Sequence, residues 1–496
     1  MGTKRIGWIF LLGVLLAFFA GFQVQTFFVD NEPEPFVDVY TEITEALDRY
    51  YLYDLSDEEK DAAFIAQLEA IVRSYAESND DPYTRLSAQP VNLAPTNAES
   101  YVGVGITIEQ LDAKLRVLEV IYDGPAYQKL YPNDMIVGIM QNSEKLYFDT
   151  LDPNILPTSY LAGSLAETKT LIVVDPEGAE RLVDITYEEI PTPTASAQTI
   201  SSDIGYIRIT EFTSYIKDVS EGTAKVFNDE LNDLENSILL DESDTLIIDL
   251  RNNPGGALTA LHNENQSGLI PGITQQLLFR DVERPLFSMI NRANIKTDYL
   301  GGLSQPKPYD IKVLVNENSA SASEVLAAAL SVNGGYDLYG NYTYGKDVYQ
   351  NTTLLTTINT TSYYLTYTEG NWVYDGEKKV GEYPLDVNLV EQSGFHAIDF
   401  LFYEEELALD DVSISLVEFQ QFLNAYFELE GASKIREDGY FDQLTEDYIS
   451  MFQVEQSLSD TKKLDLETAR LMHDLLKVYQ NDLTEDVQLQ TVLGMI

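Results

Sequence analysis

The sequence predicts a multidomain α/β chain: a layer of parallel strands and helices, preceded by a small β module and bounded by helical segments at both ends. Three observations predict it. Between Tyr101 and Ile190, short segments such as KLRVLEV, TLIVVD and RLVDITY alternate apolar and polar residues, as half-buried strands do. After Pro191 the pattern becomes strand–helix–strand, and DTLIIDLR has a continuous apolar centre that suits a strand buried on both faces. Beyond Tyr403 the chain turns helical and acidic. At about 100–200 residues per domain, 496 residues accommodate several domains.

Taken in order, residues 1–30 hold an uncharged run from Ile6 to Val29, with Lys4 and Arg5 before it and DNEPEP after it. At 1.5 Å per residue this run covers a hydrocarbon core of about 30 Å. The flanking charges predict a cytoplasmic N-terminus and an exported body, placing the body on the bacterial cell surface; if the N-terminus is instead cleaved, the protein is secreted. Residues 31–95 carry two amphipathic helical patterns, Phe36 to Leu55 and Glu58 to Tyr75, which stop at NDDPYT because Pro82 forces the chain out of helix. Ser87 to Ser100 reads as a linker. Residues 96–190 form the β module, with one helical stretch near Pro125–Leu130, and PTPTAS from Pro191 reads as a second linker. Residues 191–403 form the α/β layer: strand IGYIRITEF, helix Val219 to Leu240, strand DTLIIDLR, a helix starting at Ala257, strand IKVLVN and helix Ser323 to Leu330. Residues 404–496 form the helical end.

Composition removes several chemistries. There are 81 Asp plus Glu against 31 Lys plus Arg, a formal charge of −50, which disfavours binding to phosphate backbones. The absence of Cys excludes thiol nucleophiles, disulfides, Cys-ligated zinc, iron–sulfur clusters and a lipidated cysteine. The three histidines, His262, His396 and His473, lack the spacing of a ligand pair. An enzyme built on this chain must move protons without thiols and largely without imidazole.

Two strand ends and one loop carry candidate chemistry. Asp249-Leu-Arg-Asn-Asn-Pro-Gly-Gly256 places glycines just past a buried strand, where backbone N–H groups can approach a ligand. Asn316-Glu-Asn-Ser-Ala-Ser-Ala-Ser-Glu324 sits at a strand-to-helix junction, where a helix N-terminus favours developing negative charge. An N-cap serine with Glu324 in the first turn explains part of this pattern, but a cap needs one serine and not three. Tyr344-Gly-Lys-Asp-Val-Tyr-Gln350 offers Lys346, and a lysine of lowered pKa can activate a serine where histidine is scarce.

In this order and spacing, D-L-R-N-N-P-G-G, S-A-S-A-S-E and G-K-x-x-x-Q resemble the C-terminal processing (tail-specific) serine peptidases of family S41. The resemblance implies an α/β Ser–Lys protease core of Clp protease/crotonase-like type and needs no cofactor or metal. It makes Ser321 the nucleophile, Lys346 the general base and Gln350 its orienting partner. The N–H of Ala322 and a glycine of the pair Gly255 and Gly256 would form the oxyanion hole. Asp347 departs from the family's glycine, and a carboxylate beside Lys346 would favour the ammonium unless it points to the opposite face. The competing expectation is an inactive scaffold that binds wall and peptide.

The β module resembles the family's PDZ domain. Val102, Gly103, Val104, Gly105 and Ile106 would hold a substrate's terminal carboxylate, beside a strand that pairs with the peptide. Gly124-Pro-Ala126 and Pro132-Asn-Asp134 extend that likeness, with Asn133 in place of a turn glycine. The end of the chain, with Val417 to Leu423, Asp438 to Thr445, Phe452-Gln453 and Leu464 to Thr468, resembles a three-helix peptidoglycan-binding domain, although the same pattern suits a purely structural bundle. The expected partners are protein C-termini, the membrane, peptidoglycan and a second copy of the chain, with no nucleic acid.

Overall fold

The computed structural model describes residues 43, 56–90, 100–151, 156–216, 219–238, 240–263, 270–358 and 361–495. The expected anchor and most of the first amphipathic helix lie outside them. Among the described residues no helix is long and apolar enough to cross a membrane. Residues 1–86 and 87–496 form separate units.

In the first unit a helix spans Asp57–Glu77, close to the expected Glu58 to Tyr75. Its end is built by Asp81, whose Oδ1 accepts the N–H of Tyr83 at 2.9 Å and whose Oδ2 accepts the Thr84 hydroxyl at 2.6 Å. This side-chain turn competes with helix while Pro82 removes a backbone donor. A strand, Arg85–Pro90, occupies part of the expected linker.

In the second unit, the β module is an antiparallel sheet ordered Ile106–Leu111, Lys114–Val120, Met135–Gln141, Thr168–Val174 and Glu180–Thr186. The residues alternate as expected: Leu115, Val117, Val120, Ile136, Leu171, Val173 and Ile185 build its core. Its entering strand Ser100–Gly103 pairs with its leaving strand Glu188–Pro191, so both connections leave at one point. The helix expected near Pro125–Leu130 is a series of turns instead, because Gln128 adopts a left-handed φ of 59° that interrupts helical hydrogen bonding.

The central sheet runs Ala195–Thr199, Ile204–Ile209, Thr245–Asp249, Asp310–Val315, Asp337–Gly340 and Val387–Leu389. The first pair is antiparallel and the rest are parallel. Ala195–Thr199 falls within and after the stretch expected as a linker; its short polar residues conceal an edge strand. Thr245–Asp249 is buried throughout, as its continuous apolar centre requires. Leu246 and Ile248 face a core shared with Phe227, Leu231, Val325 and Leu326. Ile247 faces the other way, into a cluster with Tyr206, Leu314, Val390, Leu489 and Val492.

The second cluster depends on the chain's end. Helices Leu416–Tyr426, Gln443–Glu455 and Leu466–Gln480 form the expected three-helix bundle around Phe419, Phe422, Ile449, Phe452 and Met472. A fourth helix, Val487–Leu493, leaves the bundle and covers the open face of the central sheet. The sheet is therefore a two-faced layer only because residues near the C-terminus return to it. Leu489 is fully buried there, so Leu489→Ala is expected to cost about 2–5 kcal/mol, measured by urea unfolding. An unchanged midpoint would show that this helix is not part of the core.

Candidate active site

The register of the central sheet brings the two motifs together. Asp249 lies opposite Leu314 on adjacent parallel strands, so both strands release their chains at the same edge. There the serines of the second motif separate by role. Ser319 is fully buried and donates to the carbonyl of Leu250 at 2.8 Å. Ser323 is fully buried and donates to the carbonyl of Asn253 at 2.9 Å. These two stitch one strand-end loop to the other. Ser321 alone of the three is partly exposed.

Ser321 also carries strain. Its φ of 56° and ψ of −115° lie in a region that non-glycine residues seldom occupy, immediately before helix Ala322–Ala328. Such a residue costs on the order of 1–3 kcal/mol and persists where its surroundings hold it. Glu324 is one of the groups that hold it. Its buried carboxylate accepts the N–H of Ser321 at 2.8 Å, of Gly345 at 2.6 Å and of Lys346 at 2.9 Å. Burial raises the pKa of this carboxyl, and the hydrogen bonds oppose that rise. The residue expected merely to cap the helix therefore joins the candidate nucleophile's backbone to the candidate base's.

Lys346 is positioned on two further sides. Its Nζ donates to Gln350 Oε1 at 2.8 Å, and Gln350 Nε2 donates to Thr368 Oγ1 at 3.3 Å. The indole N–H of Trp372 donates to the Lys346 carbonyl at 2.8 Å. The Asp347 carboxylate turns elsewhere: its Oδ1 accepts the Asn371 side-chain amide at 3.2 Å, and its Oδ2 lies against Gly381. The departure from the glycine is thus accommodated away from the Gln350 contact.

The glycine pair divides as well. Gly255 and Gly256 have φ of 100° and 133°, open to glycine and strained for other residues. A β-carbon on Gly255 would stand 2.9 Å from Ser321 Cβ and 3.0 Å from the Ala322 nitrogen, so only glycine allows this approach. The Gly255 N–H is occupied by Asn253 Oδ1 at 2.9 Å. Among the described residues the N–H groups of Gly256 and Ala322 have no acceptor, which leaves two backbone donors beside the serine. Asn253, Glu324, Trp372 and Thr368 were not singled out from the sequence as site residues. Their bonds join distant segments, and only Glu324 gave a local signal.

Behind the turn lies a buried ionic cluster. Arg251 contacts Asp249 through Nε at 2.9 Å and Nη2 at 2.6 Å, and Asp486 through Nη1 at 3.2 Å and Nη2 at 2.6 Å. Burial alone would raise the Asp486 pKa, but hydrogen bonding and charge from Arg251 hold it at about 2. The residues expected to bind peptide in the β module sit apart from these loops: Val102 is exposed on the entering strand, Gly103 and Val104 are buried, Gly105 turns with φ of 75° and Ile106 opens the sheet's edge strand.

A partly exposed strained serine, a fixed lysine and two N–H donors without an acceptor among the described residues are the parts of a serine hydrolase site. Residues 203–382 match the model of peptidase family S41 and residues 415–472 that of a peptidoglycan binding domain. The carboxy-terminal processing protease CtpB of Bacillus subtilis is 28% identical over 86% of this chain and 83% of its own length. CtpA of the same organism is 24% identical over 86% and 85%. Among solved structures, a photosystem II D1 C-terminal processing protease aligns over 71% of this chain and 92% of its own, at 21% identity and a TM-score of 0.39. The protein is a serine peptidase. It carries an S41 peptidase domain and a C-terminal domain of the peptidoglycan-binding type, and its relatives are carboxy-terminal processing proteases.

Two outcomes follow from this geometry. Glu324→Gln exchanges an acceptor oxygen for an N–H₂ group facing N–H donors, and kcat is expected to fall by about tenfold or more in a casein cleavage assay. Retained turnover would show that the bridge is dispensable. Asp486 has a depressed folded pKa, so its stabilising contribution is present above pH 4 or so and is lost as pH falls through about 2. Comparing wild type with Asp486→Asn by urea unfolding from pH 7 downward should show a difference of about 2 kcal/mol that closes between about pH 4 and 2. A pH-independent difference would contradict this.

Proposed function

We propose that this chain is a membrane-tethered extracytoplasmic endopeptidase that engages proteins at their C-termini and cleaves them with a Ser321–Lys346 dyad. The observation that carries the reading is the shared Glu324 carboxylate, which ties the backbones of Ser321 and Lys346 to one group. In this reading the neutral amine of Lys346 takes the proton of Ser321 Oγ as that oxygen attacks the scissile carbonyl. The N–H groups of Ala322 and Gly256 stabilise the oxyanion, and Gly255 supplies the room for that arrangement. Collapse expels the amine, which takes the proton back from Lys346 and leaves an acyl group on Ser321. Water, deprotonated by the same lysine, then attacks the ester; the bond to Ser321 Oγ breaks, Oγ takes the proton from Lys346 and the acid is released. Gln350 accepts from Lys346 throughout and keeps its nitrogen aimed.

The β module serves as a PDZ-type reader. Ile106–Leu111 is an edge strand able to accept an extended peptide, and the Val104–Gly105 turn that leads into it from the entering strand offers backbone donors to its terminal carboxylate. The cationic N-terminus and apolar run support the tether, and the C-terminal domain suits an enzyme working beside the cell wall.

The test is casein cleavage by wild type, Ser321→Ala and Lys346→Ala. Both variants should lose activity by at least about 10³-fold. Activity of wild type should rise with pH as the lysine loses its proton, since only the neutral amine is a base. Equal turnover by Ser321→Ala would end the assignment of the nucleophile.

A further inference from the structure

The peptidoglycan-binding match ends at residue 472; the third bundle helix runs on to Gln480, and the chain then continues into helix Val487–Leu493, which packs on the central sheet. Asp486 caps helix Val487–Leu493 by accepting the N–H of Leu489 at 3.1 Å. It is fully buried, and its carboxylate holds both terminal nitrogens of Arg251. The Gln488 side chain adds a 2.9 Å contact to Arg251 Nη1, and Gln392 Nε2 donates to Asp486 Oδ1 at 2.9 Å.

Arg251 in turn belongs to the segment that forms the glycine turn. Its neighbour Asn252 donates its N–H to Asn316 Oδ1 at 2.9 Å. The carbonyl of Asn253 accepts the N–H of Ala320 at 3.1 Å and the hydroxyl of Ser323 at 2.9 Å, on either side of Ser321. Asn253 Oδ1 fixes Gly255. Hydrogen bonds together with the backbone from Arg251 to Gly256 thus connect helix Val487–Leu493 to the segment beside the serine.

We propose that Asp486 is a positioning residue of the peptidase, which anchors Arg251 and thereby sets the turn that presents the Gly256 N–H to the oxyanion. This rests on the Ser–Lys reading above. Asp249 remains paired with Arg251 when Asp486 is replaced, so the variant does not leave the guanidinium unpaired. The depressed pKa of Asp486 accords with an ionised anchor at neutral pH.

The experiment uses the full chain and compares wild type, Ser321→Ala, Asp486→Asn, Asp486→Glu and Leu489→Ala on a peptide substrate, with rates scaled to the folded fraction from near-ultraviolet circular dichroism. Leu489→Ala weakens the same helix without touching Arg251, so it reports a purely structural effect. The expected result is a kcat about tenfold lower for Asp486→Asn at a KM within about threefold of wild type, partial recovery in Asp486→Glu, and a kcat within about twofold of wild type for Leu489→Ala. Wild-type turnover by Asp486→Asn, or equal losses in Asp486→Asn and Leu489→Ala, would overturn the proposal. Should Asp486→Asn fail to fold, Gln488→Leu removes the neighbouring acceptor and decides the question by whether kcat falls or stays. If wild type and Ser321→Ala cleave equally, the Ser–Lys reading itself fails; if only Ser321→Ala is dead, that reading stands whatever Asp486 does.

Discussion

The arrangement of this peptidase depends on one buried carboxylate. Glu324 takes hydrogen bonds from the backbone of Ser321 on one segment and of Gly345 and Lys346 on another. Both segments leave the central sheet as loops, and loops alone would not hold two side chains to the tolerance that proton transfer requires. A charged acceptor with several N–H donors is stronger than the same number of neutral bonds, and in a buried site it is not displaced by water. The strained backbone of Ser321 is one conformation that this network maintains.

Around that bridge the other contacts divide the labour. Ser319 and Ser323 join the two strand-end loops, Asn253 occupies the N–H of Gly255, and Trp372 pins the carbonyl of Lys346. Each removes a polar group from competition, and among the described residues the N–H groups of Gly256 and Ala322 beside Ser321 are left without an acceptor. The final helix contributes from the opposite face of the sheet. It supplies Leu489 and Val492 to the core and Asp486 to Arg251, so the peptidase layer is completed by residues beyond the segment that matches the peptidoglycan binding domain.

How much of this could be read from the sequence depended on how local the signal was. The buried strand DTLIIDLR was legible because three consecutive apolar residues, Leu246 to Ile248, with no alternation admit few alternatives, and Ser321 stood out because alternating serines exceed what a helix cap needs. The division between Gly255 and Gly256 was not legible, since it turns on which N–H meets Asn253. Glu324 was visible only as a first-turn acid; its bonds to Gly345 and Lys346 arise from tertiary packing. The Arg251–Asp486 pair joins residues 235 positions apart, in different domains of the sequence reading, and leaves no periodic trace. Local conformation misled in three places: the linker read from Ser87 holds the end of strand Arg85–Pro90, the linker read from Pro191 holds Ala195 and Ser196 of strand Ala195–Thr199, and the stretch at Pro125–Leu130 looked helical until Gln128 adopted a left-handed φ.

The central claim is that Ser321 becomes covalently acylated because Lys346 is held to accept its proton. The most direct measurement is acid quench of the enzyme during turnover of a peptide ester, followed by mass analysis of the peptide containing residue 321. The account predicts an acyl adduct on Ser321 in wild type, and none when Lys346 is replaced by Ala. An adduct on another residue, or turnover that proceeds with no adduct on Ser321, would contradict it.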